Sequence, residues 1–386
     1  MKKKSRLTLF TFYTLFTLFT FLQTTTAQDA SRIRISLLTC TPGDELYSIF
    51  GHSALRIIDS NSVTDIVYNY GTFNFDDEGF YIKFIRGKLP YYISIASFQD
   101  FKWEYQTSNR GMTEQLLNFS NAEKINIQHE LNENLKEENK YYQYDFFLDN
   151  CTTRLRDIIV KNKQPSPLLP AVMPATKTFR NAIHQYLDAG LQPWSKLGID
   201  ILLGAPTDAV MTPAQQQFLP DNLMLALDSS QRVKIVQSSN NLYPYQPFHE
   251  KHWLTPIIFF SALLALYILL SLLKSPASKN ILNGLDGLLF FLTGLLGVLL
   301  IFMMTVTDHS MTKNNYNIFW AWPTHALFAF FINKKNRFTK TYLLITSIGL
   351  ALLLLLWFFL PQQMNIALVP LVLLLIYRSA SRYFNW

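Results

Sequence analysis

The sequence predicts an α+β domain outside the cytoplasm, followed by a membrane domain of five α-helices. Three observations lead to this prediction. The first residues are basic and the next are apolar, residues 31–250 carry charges throughout, and residues 254–378 consist mostly of apolar runs. The mean hydropathy is only +0.11 because it averages these two unlike parts of the chain.

Residues 1–27 are predicted to be a secretory signal peptide. A basic start, "MKKKSR", precedes a long apolar stretch, and the small residues at 25–27 form a plausible cleavage site. An uncleaved anchor is the alternative, but in both cases residue 31 begins outside the cytoplasm. Cys40 lies too far beyond the apolar stretch to belong to a lipoprotein signal.

The membrane domain is predicted from five apolar segments. A helix that crosses a bilayer needs about 20 apolar residues, and the third and fifth segments are shorter than this. The five segments are 254–273, 284–304, 316–332, 342–360 and 365–377.

The basic residues between these segments predict the orientation of the helices. If residues 31–250 lie outside, Lys313 is the only basic residue in the predicted outer loops, whereas the cytoplasmic loops and tail contain Lys274, Lys279, Lys334, Lys335, Arg337, Lys340, Arg378 and Arg382. This distribution follows the positive-inside rule, so the C-terminus is predicted to be cytoplasmic. The same loops explain part of the net charge of +7, and without a basic stripe interleaved with aromatics a nucleic-acid partner is not indicated.

Residues 31–162 are predicted to form the mixed core of the α+β domain. Alternating and β-branched patterns predict strands at 32–40, 53–59, 64–73, 89–96, 110–119 and 141–148. A helix is predicted over 120–140, where Ser120 and Glu123 form a capping-box pattern, and another over 151–162.

Residues 163–250 are predicted to be a mostly helical extension. A Pro-rich linker at 163–176 opens it, and helical patterns follow near 177–189 and 212–228. His129 and His184 lie on predicted helix faces, where we expect them to be solvated.

Cys151 is the candidate nucleophile. It stands where "YYQYDFFLDN" gives way to the helical pattern "CTTRLRDIIVKN". A thiolate at a helix N-terminus is stabilised by the helix dipole and by unpaired backbone N–H groups, which can also hold an oxyanion. This strand–Cys–helix order is typical of papain-like thiol enzymes. The alternatives are a buried structural cysteine or a disulfide with Cys40.

His52 is the candidate base, because a cysteine nucleophile usually has a histidine at hydrogen-bond distance. Gly51 allows a tight turn beside it, and the following strand could bring it next to Cys151. Asn69 is the candidate to orient the imidazole, with Asp65 as an alternative. The sequence contains no HExxH, paired CxxC, phosphate-binding glycine loop or GxSxG, so neither a metal nor another cofactor is predicted.

Several motifs together resemble one family. They are "TCTPGDELYSIFGHSALRI", "VYNYGTFNF", "FYIKFIRGKLPYY", "YYQYDFFLDNCTTRLRDII", "WSKLGIDILLGAPTD", "FLPDNL" and "DHSMTKNNYNIFWAWP". The family is Lnb, the Bacteroides-type lipoprotein N-acyltransferases, and the resemblance covers nearly the whole chain after the signal peptide. It implies a circularly permuted papain-like periplasmic domain, with His52 as base and Cys151 as nucleophile, and a five-helix membrane domain.

The resemblance also implies a reaction and its partners. The acyl donor would be a phospholipid of the bacterial inner membrane, and the acceptor would be a diacylated lipoprotein. The polar outer loop 307–317 contains His309 and Asn315, which we expect near lipid headgroups, and Arg110 is a further candidate for contact with substrate.

Two other functions fit the same residues. A membrane-tethered cysteine peptidase or amidase acting on cell-wall peptide could use the same Cys–His pair with water as acceptor. A non-catalytic envelope assembly protein could hold Cys40 and Cys151 in a structural disulfide.

Overall fold

A computed structural model describes residues 30–45, 47–244 and 253–384. The predicted signal peptide lies outside the described residues. Among those described, seven strands form one antiparallel sheet in the order β6-β4-β3-β2-β1-β5-β7. The strands are β1 Ile33–Cys40, β2 His52–Asp59, β3 Thr64–Thr72, β4 Pro90–Ser97, β5 Met112–Leu117, β6 Tyr141–Gln143 and β7 Val236–Tyr243.

The α+β domain also contains eight α-helices within its described residues. They are α1 Phe80–Ile85, α2 Phe98–Thr107, α3 Asn121–Asn134, α4 Cys151–Asn162, α5 Phe179–Ala189, α6 Pro193–Leu202, α7 Pro213–Gln216 and α8 Pro220–Asp228. The capping box predicted for α3 is present: Ser120 N–H donates to Glu123 at 2.7 Å, and Glu123 N–H donates back to the Ser120 hydroxyl at 3.4 Å.

The sheet is covered on both faces, as the alternation along β1 requires. Ile33, Ile35 and Leu37 belong to the large core, which includes buried residues of α3, α4 and α8. Leu38 and Cys40 belong to a smaller core with α2. Successive side chains of a strand point to opposite faces, so β1 supplies both cores.

The predicted strand at 141–148 is mostly wrong. Only Tyr141–Gln143 pairs with β4, and the chain then turns. The Asp145 carboxylate accepts hydrogen bonds from the backbone N–H groups of Phe147 and Leu148 at 2.9 and 3.1 Å. An aspartate that binds the following N–H groups favours a turn over a strand, despite the aromatic residues around it.

The segment 163–250 contains helices and also completes the sheet. Helices α5 and α8 occur near the predicted positions, but β7 pairs with β5, and Leu223 and Leu227 of α8 lie in the large core. Residues on both sides of the Pro-rich linker therefore share one hydrophobic core.

The membrane domain contains three helices that are long and apolar enough to cross a bilayer, counted over the described residues: Pro276–Thr305, Arg337–Leu356 and Ile366–Phe384. Its α-helices are α9 Pro256–Leu272, α10 Pro276–Thr305, α11 Thr324–Phe328, α12 Arg337–Leu356 and α13 Val369–Phe384. The third long helix includes a 3-10 turn, Ile366–Leu368, that leads directly into α13. The predicted third span, 316–332, is not one continuous helix: a 3-10 helix over Tyr316–Phe319 is separated from α11 by Pro323.

Two of the basic residues assigned to the cytoplasmic tail belong to the helix bundle instead. Arg378 and Arg382 lie in α13 and bind the buried carboxylate of Asp286 in α10, with Arg378 Nε at 2.8 Å. A charge inside a membrane bundle is usually paired in this way. These arginines therefore have a packing role that the count of loop charges does not include.

The two domains contact each other through polar groups. Asn317 and Asn365 donate to the main chain and carboxylate of Asp200 in α6, at 3.0 and 2.8 Å. Elsewhere, Ser310 donates to Asp145 at 2.6 Å. Asp145 begins the turn that leads into Cys151, so the outer loop of the membrane domain lies close to the candidate site.

Candidate active site

Cys151 is the first residue of α4, as predicted. Asn150 caps the helix: its Oδ1 accepts the N–H groups of Thr152 and Thr153, both at 2.9 Å. Its Nδ2 donates to the carbonyls of Phe146 and Phe218 at 2.7 and 2.9 Å. Asn150 is buried, so these four bonds hold the start of α4 in one orientation.

His52 is the first residue of β2 and lies opposite Cys40 in the sheet. Gly51 precedes it with a φ of 77°, a conformation that favours glycine. A methyl carbon at Gly51 would lie 2.7 Å from the carbonyl oxygen of Cys40. The predicted tight turn beside the histidine is therefore present, and only glycine fits it.

Asn69 of β3 is the hydrogen-bond partner of the His52 ring. The His52 Nε2–H donates to Asn69 Oδ1 at 3.2 Å, which leaves Nδ1 available to the thiol. The alternative, Asp65, binds Arg56 through two bonds of 2.6 and 2.7 Å. Of the two candidates, only Asn69 is within hydrogen-bond distance of the imidazole.

His52 and Cys151 interact electrostatically although they are far apart in the sequence. Burial raises the pKa of Cys151, but the charge of His52 and a hydrogen bond to it outweigh burial, so the pKa falls from 9.0 to about 7. Conversely, burial lowers the pKa of His52, and the thiolate of Cys151 more than compensates, so this pKa is raised. The arrangement favours a thiolate–imidazolium pair.

Two neighbours that the sequence did not single out also contact the sulfur. The Ser53 backbone N–H donates to Cys151 and lowers its pKa further. Thr152 Oγ1 lies 3.8 Å from Sγ and donates to the Ser53 hydroxyl at 3.1 Å. Both neighbours directly follow predicted site residues, but their sequence positions carry no signal of this contact.

Cys40 is close to the site but differs in chemistry. Both cysteines are free thiols in the structure, so the suggested Cys40–Cys151 disulfide is wrong. Cys40 is fully buried, and burial raises the pKa of its thiol to about 12 despite the nearby charge of Arg110. It remains protonated and unreactive where Cys151 is ionised.

Arg110 lies beside the site. His309 and Asn315, which belong to the membrane domain, instead bind parts of the α+β domain away from the site. Arg110 Nε donates to the Thr41 carbonyl at 2.9 Å, and the charge of Arg110 tends to lower the pKa of His52. The His309 ring lies 3.2 and 3.1 Å from the carbonyls of Phe84 and Ile85. Asn315 donates to the main-chain carbonyls at 201 and 202, at 2.7 and 3.0 Å.

Gly71 is a further site residue that the sequence did not indicate. Its φ is +87°, and a methyl carbon built there would lie 3.6 Å from both Cys151 Cβ and the ring of Tyr144. Glycine therefore leaves room for about one methyl group next to Cys151 Cβ and the Tyr144 ring. It follows Asn69 by two positions, in the motif "VYNYGTF".

A cavity of about 740 Å³ lies elsewhere, where α5 and α6 meet the membrane domain, with His184, Lys196, Asp200, Trp357 and Gln362 among its lining residues. It does not include Cys151 or His52. His184 is not a solvated helix-face residue as predicted, because its Nε2 binds Asp200 at 2.8 Å with little exposure.

Comparisons with known proteins agree with the two-part architecture. A family model described as the Lnb N-terminal periplasmic domain matches residues 20–185, and one described as the Lnb transmembrane domain matches residues 248–385. No curated protein and no solved structure matches the chain significantly. The protein is therefore integral to a membrane and has a periplasmic domain, and the two matches together show that the chain belongs to the Lnb family.

Proposed function

We propose that the protein is a lipoprotein N-acyltransferase. It transfers an acyl chain from a phospholipid, through a thioester on Cys151, to the α-amino group of a diacylglyceryl-cysteine lipoprotein. The observation that carries this proposal is the Cys151–His52–Asn69 arrangement, in which Cys151 is buried, the other two residues are half-buried and the pKa of the thiol is about 7. Membership of the Lnb family supports an acyltransferase.

The first half of the reaction forms the acyl-enzyme. The Cys151 thiolate attacks an ester carbonyl of the phospholipid, and the resulting tetrahedral intermediate collapses with loss of a lysophospholipid. The His52 imidazolium donates its proton to the departing alkoxide oxygen. The products are a thioester on Cys151 and a neutral imidazole.

The second half transfers the acyl chain to the lipoprotein. The neutral imidazole of His52 accepts a proton from the attacking amine, an amide bond forms, and the thiolate leaves. This regenerates the starting ion pair. A covalent intermediate suits the reaction because donor and acceptor need not occupy the site together.

The oxyanion of each tetrahedral intermediate needs hydrogen-bond donors. The N–H groups of Thr152 and Thr153 already donate to Asn150. We therefore assign the Cys151 N–H as the donor from α4, and the second donor must come from outside the first turn of this helix.

The membrane domain has a physical role in this reaction because both substrates are lipids. The bond between Ser310 and Asp145 links the outer loop to the turn before Cys151. Holding the site at the membrane surface confines both substrates to a common plane and orientation, which lowers the entropy cost of the reaction.

The proposal also includes the fold of the α+β domain and the orientation of the protein in the membrane. The α+β domain is a circularly permuted papain-like fold, with His52 ahead of Cys151 in the chain, and residues 31–162 are its catalytic core, extended by 163–250. The five apolar segments of 254–378 cross the bacterial inner membrane, the third as a helix broken at Pro323, with the C-terminus in the cytoplasm. Arg110 contributes positive charge next to the substrate, and no cofactor takes part.

The test is mass spectrometry of the N-terminal peptide of a reporter lipoprotein, expressed in cells that lack their own N-acyltransferase. Wild-type protein is expected to add a third acyl chain, and Cys151→Ala none. Cys40→Ala is the matched control, because it removes the other buried free thiol and should leave acylation intact.

A reporter that stays diacylated with the wild-type protein, at normal expression, would overturn the acyltransferase. In that case the peptidase or amidase becomes the leading function, because the same Cys–His pair could transfer its acyl group to water. Removal of residues 254–386 distinguishes the two functions further. An acyltransferase with lipid substrates should lose its activity without the membrane domain, whereas a peptidase or amidase should keep it.

A further inference from the structure

Helix α1 exposes an unusual amount of apolar surface. Tyr81, Ile82, Phe84 and Ile85 are between 46% and 76% exposed, although the helix has only six residues. Soluble domains seldom leave contiguous apolar patches of this kind, and those that do usually contact a partner or a membrane. We call this group of four side chains the α1 patch.

The α1 patch lies beside the outer end of a membrane helix. The carbonyls of Phe84 and Ile85 contact the His309 ring, and the Asp308 N–H donates to the Arg86 carbonyl at 2.9 Å. Helix α10 ends at Thr305. Since only a few residues separate that end from His309, α1 lies at the level where the bilayer surface begins.

Basic residues accompany the patch. Lys83, Arg86 and Lys88 occur within or directly after α1, and Lys88 Nζ lies 3.7 Å from the Asp308 carboxylate. Apolar side chains mixed with lysine and arginine are typical of elements that lie in the interface of a bilayer with anionic lipids. Asp76, Asp77 and Glu78 directly precede α1 and Lys88 pairs with Asp308, so the local charge is balanced and the apolar side chains carry the argument for insertion.

A chain of aromatic rings connects the patch with the candidate nucleophile. Phe84 stacks on Phe80 at 6.0 Å between ring centroids, Phe80 contacts Phe73 at 5.9 Å, and Phe73 contacts Tyr91 at 5.3 Å. Tyr91 in turn stacks on Tyr144 at 4.4 Å.

The last ring of this chain borders the space at Gly71. A methyl carbon there would touch both the Tyr144 ring and Cys151 Cβ. The five rings of Phe84, Phe80, Phe73, Tyr91 and Tyr144, which we call the aromatic track, thus run from the membrane-side helix to the thiol.

We propose that the α1 patch inserts into the outer leaflet of the membrane and that the aromatic track guides a phospholipid acyl chain from there to Cys151. The insertion does not depend on the proposed function, whereas the guiding role rests on it. The apolar chain gains burial against the rings, and the ester at its head reaches the sulfur.

Insertion can be measured without any chemistry. The full chain with Cys40→Ala and Cys151→Ala carries Ile82→Cys, labelled with a fluorophore, in nanodiscs containing phospholipids with a nitroxide on the acyl chain. Ile125→Cys on α3 is the matched control, because Ile125 is also exposed. It lies on a helix that packs near Ala30, at the end of β1 opposite Cys40. We expect quenching at position 82 to exceed that at 125 about threefold or more.

The aromatic track is tested by crosslinking. A phospholipid with a diazirine on its acyl chain is photolysed with the full-length Cys151→Ala variant, which binds lipid but cannot be acylated. Labelled peptides are expected from 73–91 and around Tyr144. Labels confined to the membrane helices would overturn the guiding role.

A functional pair completes the test. Ile82→Glu should slow acyl-enzyme formation about tenfold, because a charge opposes insertion, whereas Ile125→Glu should not. Equal quenching at 82 and 125 overturns the insertion, whatever the reporter assay shows. If the patch inserts but the protein never acylates a reporter, the insertion is confirmed and the acyltransferase proposal is overturned.

Discussion

At the scale of single residues, the protonation of Cys151 depends on His52. The pKa of Cys151 is lowered to about 7, so the thiolate is present above this pH and is lost as the pH falls below it. The pKa of His52 is raised, so the imidazolium persists to higher pH than in a free histidine. The ion pair is favoured where the thiol has ionised and the imidazole still holds its proton.

The first prediction concerns thiol reactivity. Alkylation of Cys151 by iodoacetamide should rise with a midpoint near pH 7. His52→Gln removes the charge of the imidazolium but not the burial of Cys151, so less thiolate is present at pH 7. We expect the alkylation rate at pH 7 to fall about tenfold or more. The rate falls less than the thiolate fraction, because a more basic thiolate is more nucleophilic. His129→Gln, at an exposed position, is the control. A wild-type midpoint near 9 would contradict the ion pair.

The second prediction concerns the space at Gly71. Gly71 and Gly79 both have positive φ, 87° and 69°, but only Gly71 has neighbours within reach of an added methyl group. Alanine should cost each position about 1 kcal/mol of folding free energy. Only Gly71→Ala should also suppress the acyl-enzyme, as measured by intact mass. Equal acylation of both variants would show that the space is not used.

At the scale of secondary-structure elements, the caps of α3 and α4 differ in importance. Ser120 makes one hydroxyl bond to the start of α3, at 3.4 Å. Asn150 makes four bonds at the start of α4, and two of these reach carbonyls outside the helix.

The third prediction compares these caps. Asn150→Ala should cost about 2–3 kcal/mol, because it removes the cap and leaves buried polar groups without partners, while Ser120→Ala should cost about 1 kcal/mol or less. Thermal unfolding of the purified full chain measures the order of the two effects. Asn150→Ala should also shift the alkylation midpoint of Cys151, which a cap that served folding alone would leave unchanged.

At the scale of the whole molecule, a buried ionic cluster joins the two domains. Arg180 binds Asp200 at 2.7 Å and Asp208 at 3.0 Å, and both partners of the first pair are almost fully buried. Burial tends to raise the pKa of Asp200, but His184 and Arg180 lower it overall, so the carboxylate is charged. Asn365 of the membrane domain binds the same carboxylate.

The fourth prediction tests this junction. Asp200→Asn should destabilise the full chain by about 3 kcal/mol, because it leaves buried positive charge incompletely compensated. Asp188→Asn, which breaks the exposed pair with Lys196, should cost less than about 1 kcal/mol. Thermal unfolding in nanodiscs compares the two. Similar midpoints would mean that the cluster does not hold the domains together.

Local patterns explain most of what could be predicted about the fold. The strands β1 to β5, the capped helix α3 and the helix that begins at Cys151 all follow from side-chain period and capping residues within a few positions. The errors had two different causes. The strand β7 forms because it can pair with the distant strand β5. The segment 316–332 breaks for a local reason, because Pro323 interrupts the helix although the composition is apolar.

The candidate site shows the same division. The sequence by itself determined the order of a charged domain and an apolar domain, and it singled out Cys151 and His52 as candidates from their local settings. Only the tertiary structure decided that Asn69 rather than Asp65 binds His52, that Cys40 stays a free thiol, and that His309 contacts α1. The physical reason is distance along the chain: Ser53 and Thr152, which directly follow His52 and Cys151, are 99 residues apart, and only packing of α4 against β2 and β3 brings them together.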